Sequence, residues 1–206
     1  VNELPLLTDV SSLYPKSDFS RTLIIACQHL LGTQINLFEE LFQKGLRPEN
    51  TYLIGKNYST NDAVYKEFLA KGVNVSPDSQ TYDSHLSFDV QFQLFVERFL
   101  DLIKEKVNFA DFDRVIVVDE GGHLLLSLNK FGNLSSVVGI EQTSSGYEKI
   151  KAKRFSHPVI NVARPRAKLE IEAPLIANLV VNQISEYLDK VDIGNPKVLA
   201  VGQGAV

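Results

Sequence analysis

The chain has 206 residues, 44% hydrophobic and 22% charged, enough to bury the core of one large domain or one and a half. Its 21 basic residues against 25 acidic ones give a formal charge of −4, which argues against a nucleic-acid or anionic-membrane footprint. One cysteine, Cys27, excludes an intramolecular disulfide framework and a thiolate metal cage, and His29, His85, His123 and His157 lack zinc-ligand spacing. No apolar run reaches the roughly 18 residues of a membrane helix. The opening VNELPLL has no basic start and no apolar core of a secretory signal, so a cytoplasmic location is the expectation.

Residues 1 to 20, with Pro5, Pro15 and several serines, read as an irregular lead-in. Thr22-Leu-Ile-Ile-Ala26 is a first buried strand ending at Cys27, Gln28 and His29. Ile35, Phe38, Leu41 and Phe42 share one face of a helix from about Thr33 to Lys44, with Gly45 as its C-terminal cap. Thr51 to Ile54 is strand two. Ser59-Thr60-Asn61-Asp62 starts the next helix, a hydroxyl or carboxylate oxygen accepting from first-turn amides. Val73 to Val75 is a short third strand. From Ser87 to about Lys106, Phe88, Phe92, Phe95, Phe99 and Ile103 form one stripe of an amphipathic helix, a core-packing pattern.

The run Val115-Ile-Val-Val118 has four β-branched residues in succession, the pattern of a central parallel strand buried on both faces. It stops at Asp119-Glu120-Gly121-Gly122-His123, where the chain leaves the carboxyl end of its strand, the end at which open α/β sheets bind ligands. A helix over Leu124 to Leu128, a strand at Val137 to Ile140, a helix after Glu141-Gln-Thr-Ser-Ser-Gly146 and a strand at Pro158 to Val162 follow. A long helix spans Ala173 to Leu188, with Pro174 in its first turn, where a missing amide is tolerated. Strands alternate with helices nearly throughout, which predicts an α/β fold: a doubly wound, Rossmann-like parallel sheet flanked by helices.

After a turn at Asp192 to Pro196, Lys197-Val-Leu-Ala-Val201 runs as a strand into Gly202-Gln203-Gly204, the first half of a dinucleotide-binding glycine turn. Residues 1–196 are therefore expected to form a substrate-binding type of domain, and 197–206 the first strand and part of the turn of an NAD-binding domain. The helix that would hold the pyrophosphate lies past this stretch, so NAD is expected only in a longer protein.

In this order the motifs resemble those of the adenosylhomocysteinase family, NAD-dependent enzymes that reversibly split S-adenosylhomocysteine into adenosine and homocysteine. The matching pieces are Cys27-x-His29, Ser59-Thr60-Asn61-Asp62, Asp119-Glu120-Gly121-Gly122, Glu141 to Gly146, Pro158-x-Ile160-Asn161-Val162, Lys168 and the terminal G-x-G. The resemblance implies transient oxidation of the ribose 3′-hydroxyl, which acidifies the C4′ proton and allows the thiol to leave. It makes His29 an acid/base near the 5′ carbon and Lys168 the base at the 3′-hydroxyl, a task a lysine in an apolar cleft can perform. Glu120 and Glu172 stand where the family has catalytic aspartates. Thr33, Asp119, Glu141 and Gln142 are the expected substrate-binding residues, and Thr143, Ser144, Ser145, Gly202 and Gly204 the expected cofactor-binding ones.

The departures are specific. Gln142 replaces a substrate-binding glutamate, Ala163 an asparagine and Leu31 a threonine, and the Tyr82 to Phe95 region replaces a segment rich in Trp, Gly and Glu. Losing a carboxylate that binds a sugar diol leaves ligand groups unpaired, so altered specificity is expected. Two functions follow: the substrate domain of a diverged NAD-dependent hydrolase acting on or binding a nucleoside-type ligand, or a catalytically inactive nucleoside- or nucleotide-binding or regulatory relative. A homo-oligomer is expected for the full-length protein, with neither nucleic acid nor membrane as partner. A 2-hydroxy-acid dehydrogenase domain would share the sheet but does not account for Glu141 to Gly146. Plainer roles stay open: His29 as a satisfied histidine, Glu141 and Gln142 as helix caps, and Arg164, Arg166 and Lys168 as a solvated basic face. The functional reading requires His29, Glu120, Gln142 and Lys168 to converge on one cleft.

Overall fold

The computed structural model describes residues 4–128, 136–191, 197, 199 and 201. The chain divides into two compact units between Asn161 and Val162, ahead of the boundary expected at 196. In the first, β1 (Thr22–Gln28), β2 (Thr51–Gly55), β3 (Asn74–Val75), β4 (Arg114–Asp119), β5 (Val137–Glu141) and β6 (Val159–Asn161) form one sheet in the order β3-β2-β1-β4-β5-β6. Every pairing is parallel, and the fold is the doubly wound α/β sheet that the alternation of elements predicts. The helices of this unit are α1 (Pro5–Ser12), α2 (Gly32–Gln43), α3 (Asp62–Ala70), α4 (Phe88–Lys106), α5 (His123–Ser127) and α6 (Ser144–Ile150).

Side-chain alternation along β1 divides the core. Leu23, Ile25 and Cys27 join Phe92, Phe95, Phe99 and Ile103 of α4, whereas Ile24 and Ala26 join Ile35 and Phe38 of α2 and Val64 and Phe68 of α3. Phe68 and Phe92 are fully buried, each contributing about 1.5–3 kcal/mol relative to exposure. The aromatic stripe of α4 is thus core packing, with Phe88 at its half-buried amino-terminal end.

Two local expectations change. The lead-in contains α1: Pro5 sits in its first turn, where its missing N–H removes no helical bond. β4 is less enclosed than its apolar run implies, because Val115 and Val117 are buried while Ile116 and Val118 are only half-buried. On that face α2 and α3 cover β1 and β2, and the exposure continues to Ile160 on β6.

The cap of α3 is Asn61, whose amide oxygen accepts from the N–H groups of Ala63 (3.0 Å) and Val64 (3.2 Å), rather than a hydroxyl or carboxylate of its neighbours. Asn61→Ala is expected to cost about 1 kcal/mol, read as a lower urea midpoint with unchanged slope.

In the second unit, a π-type turn at Lys168–Glu172 leads directly into α7 (Ala173–Lys190). Among the described residues no helix is long and apolar enough to cross a membrane. Gly202, Gly204 and residues 192–196 lie outside the described residues, as do Val198 and Ala200 of the expected last strand.

Candidate functional site at the carboxyl ends of the strands

From β1 the chain winds outward to β2 and β3, and from β4 outward to β5 and β6. The carboxyl ends of β1 and β4 therefore flank the switch point, where crevices form in doubly wound sheets. His29 follows β1 and Glu120 follows β4. The backbone N–H of His29 donates to Glu120 Oε2 at 2.7 Å, tying the two loops together across that point. His29 is half-buried, its Nδ1 2.5 Å from Ser59 Oγ and its ring centroid 5.5 Å from that of Tyr58 in a T-shaped arrangement. Ser59 and Tyr58 both belong to the loop ahead of α3, which holds the imidazole, while the loop after β4 holds the His29 backbone.

Gln142, directly after β5, reaches the same region. Its Oε1 accepts from Gln28 Nε2 at 2.6 Å, and its backbone N–H donates to the carbonyl of Asp119 at 3.0 Å. His29, Glu120 and Gln142 thus meet around the end of β1. Thr33 is exposed in the first turn of α2. Lys168 is half-buried and Glu172 exposed, both in the π-type turn of the second unit.

Asp119 and Glu141 are register partners at the ends of β4 and β5, and both side chains turn inward. Asp119 Oδ2 accepts from the Leu125 N–H at 2.9 Å and so caps α5. Burial, reinforced by Glu141, pushes the Asp119 carboxyl up to about 7 against that hydrogen bond. Glu141 Oε1 accepts from the N–H of Gly121 (3.2 Å), the N–H of Thr143 (2.8 Å) and Thr143 Oγ1 (2.7 Å). It braces the loops after β4 and β5. Gly121 and Gly122, with φ of +103° and +77°, make the turn between Glu120 and α5 in a conformation that side chains resist. Thr143 Oγ1 also accepts from Gly146 N–H as the cap of α6, while Ser144 and Ser145 are exposed in the helix's first turn.

Behind Gly122, His123 is buried with Nδ1 3.4 Å from Gln93 Oε1 and Nε2 3.3 Å from Lys149 Nζ. Lys149 donates to Nε2, so the ring proton belongs on Nδ1, facing Gln93. Burial, then the charges of Lys56 and Lys149, lowers the His123 pKa to about 4; Asp89, 3.4 Å from Nε2, opposes them. Burial also raises the Cys27 thiol, whose Sγ lies 3.8 Å from the Glu120 carbonyl, leaving an inert thiol rather than a nucleophile.

The sequence offered no signal for Lys56, the residue directly after β2. It is 4% exposed, with its ammonium 4.3 Å from the centroid of Phe92 and 5.3 Å from that of Phe88. Only the contact between the end of β2 and the start of α4 shows it.

No family model matches the chain. It is similar to two curated proteins of Mycobacterium tuberculosis, one from strain CDC 1551 / Oshkosh and one from strain ATCC 25618 / H37Rv, both described as uncharacterized. Each is 40% identical over 185 residues, which cover 89% of this chain and 36% of the relative. The chain thus spans about a third of the length of the curated relatives it matches.

Proposed function

We propose that this chain is the substrate side of a diverged, NAD-dependent protein of the adenosylhomocysteinase type, which binds or acts on a nucleoside. The observation that carries the reading is the hydrogen bond joining His29 to Glu120 across the switch point of the sheet. An imidazole can both give and take a proton, and Ser59 and Tyr58 hold this one in place at the switch point. Glu120 has one carboxyl oxygen on the His29 backbone N–H, which fixes its carboxyl at the end of β1. Gln142, anchored on Gln28, presents an amide where the related family has a carboxylate, which favours a ligand other than S-adenosylhomocysteine.

NAD, when bound in the longer protein, would supply reversible oxidation of the ribose 3′-hydroxyl. Of the hydroxyl trio, Thr143 is engaged with Glu141 and Gly146, so Ser144 and Ser145 are the hydroxyls that would meet the nicotinamide half. Lys168 and Glu172, in the second unit, are proposed as catalytic residues on the resemblance alone.

The inward placement of Asp119 and Glu141, together with Gln142, favours a second reading: a nucleoside-binding relative without turnover. Adenosine titration tests the shared element. Saturable binding that weakens at least tenfold in His29→Ala is expected, and binding unchanged in that variant would refute the site. S-adenosylhomocysteine cleavage by the longer protein with NAD then separates the two readings.

A further inference from the structure

The backbone of Lys56 is fixed on both sides. Its N–H donates to the Gln28 carbonyl at 3.0 Å, and its own carbonyl accepts from Ser59 N–H (3.0 Å), Ser59 Oγ (3.3 Å) and Thr60 Oγ1 (3.0 Å). The side chain therefore enters α4's face of the sheet from a loop that also holds His29. A Cβ on Gly121 would lie 3.1 Å from Nζ, so the turn after β4 is bare where the ammonium approaches it. Among the described residues the ammonium makes no ion pair and no hydrogen bond; ring faces are its neighbours. Its charge is felt by Cys27, Asp119 and His123, none of which ion-pairs with it.

Holding the ammonium of a residue only 4% exposed against ring faces, without an oxygen partner, is costly, and cation–π contact recovers only part of that cost. A structural filler at this place would be better served by methionine or leucine. On one side the ammonium borders the turn that directly follows Glu120. The half-buried ring of Phe88 separates it from the exposed Tyr58, 4.9 Å from Phe88, and Tyr58 in turn contacts His29.

We propose that Lys56 is an anion-binding residue, its ammonium taking a carboxylate or phosphate oxygen of a ligand held at the carboxyl ends of β1, β2 and β4. This would give the site a charge preference that His29, Glu120 and Gln142 do not supply. The inference rests on the crevice as the binding site, but not on the ligand's being a nucleoside.

The test follows the amide signals of Cys27, Gly121 and His123 in the full chain by NMR while inorganic phosphate or acetate is added at constant ionic strength. Saturable shifts are expected, at least tenfold weaker in Lys56→Met and largely kept in Lys56→Arg. Response to phosphate alone assigns a phosphoryl group, and response to acetate alone a carboxylate. Lys56→Gln serves as a second variant should Lys56→Met not fold. Absence of saturable shifts in the unaltered chain, or equal affinity in the neutral variants, overturns the assignment. Adenosine binding without any anion response would sink Lys56's role and leave the nucleoside reading standing; anion binding without adenosine binding would do the reverse.

Discussion

Gly146→Ala is expected to destabilise the first unit by roughly 3 kcal/mol or more, read from urea unfolding. A Cβ at 146 would overlap the carboxyl group of Glu141. That group cannot swing away cheaply: it is fully buried, and Oε1 accepts from Gly121 N–H, Thr143 N–H and Thr143 Oγ1. Moving it breaks the brace between the loops after β4 and β5 and leaves buried donors unpaired, adding to the steric cost. The same variant should therefore weaken ligand binding at Glu120 and Gln142, which those loops carry. A loss below about 1 kcal/mol would mean that Glu141 is not the brace described.

The second large effect is on the pH dependence of stability. Asp119 has its folded pKa raised from 3.8 to about 7, so between those values the native state holds a proton that the unfolded state lacks. Its contribution is favourable at low pH and is lost as pH rises through that window. His123 has its folded pKa lowered from 6.5 to about 4, so the unfolded state holds the extra proton and stability rises with pH over nearly the same window. At full extent the Asp119 shift corresponds to roughly 4 kcal/mol and the His123 shift to roughly 3 kcal/mol, and in the native chain the two oppose each other. Asp119→Asn keeps an acceptor for the Leu125 N–H but removes the falling branch. Its urea stability should climb by about 2–3 kcal/mol from pH 4.5 to 7, against a much flatter profile for the unaltered chain. Matching profiles would show that Asp119 ionises as a solvated carboxyl does.

The sheet and its helices were legible because each strand is a short apolar run and each long helix carries a stripe at helical spacing. Val115 to Val118 shows the limit of that reading. A continuous β-branched run marks a central strand, but whether a helix covers both faces depends on the crossovers, and Ile116 and Val118 are only half-covered. At the site, Asp119 and Glu120 read as adjacent carboxylates at one strand end, the first expected to bind substrate and the second to act in catalysis. Strand alternation separates them: Asp119 continues the buried Val115 and Val117 side, and Glu120 turns toward His29. Lys56 was illegible because one lysine between Gly55 and Asn57 has the pattern of a surface loop, and its burial is made by Phe88 and Phe92, more than 30 residues away in sequence. Helix α1 was missed because Pro5, Ser11 and Ser12 suggest a loop, though proline suits a first turn.

NMR mapping of an adenosine titration tests most directly whether the switch point of the sheet is a nucleoside site. Saturable shifts centred on the amides of His29, Glu120 and Gln142, and weakened in His29→Ala, are the predicted outcome. Shifts confined to another face of the sheet, or none at millimolar adenosine, would contradict it.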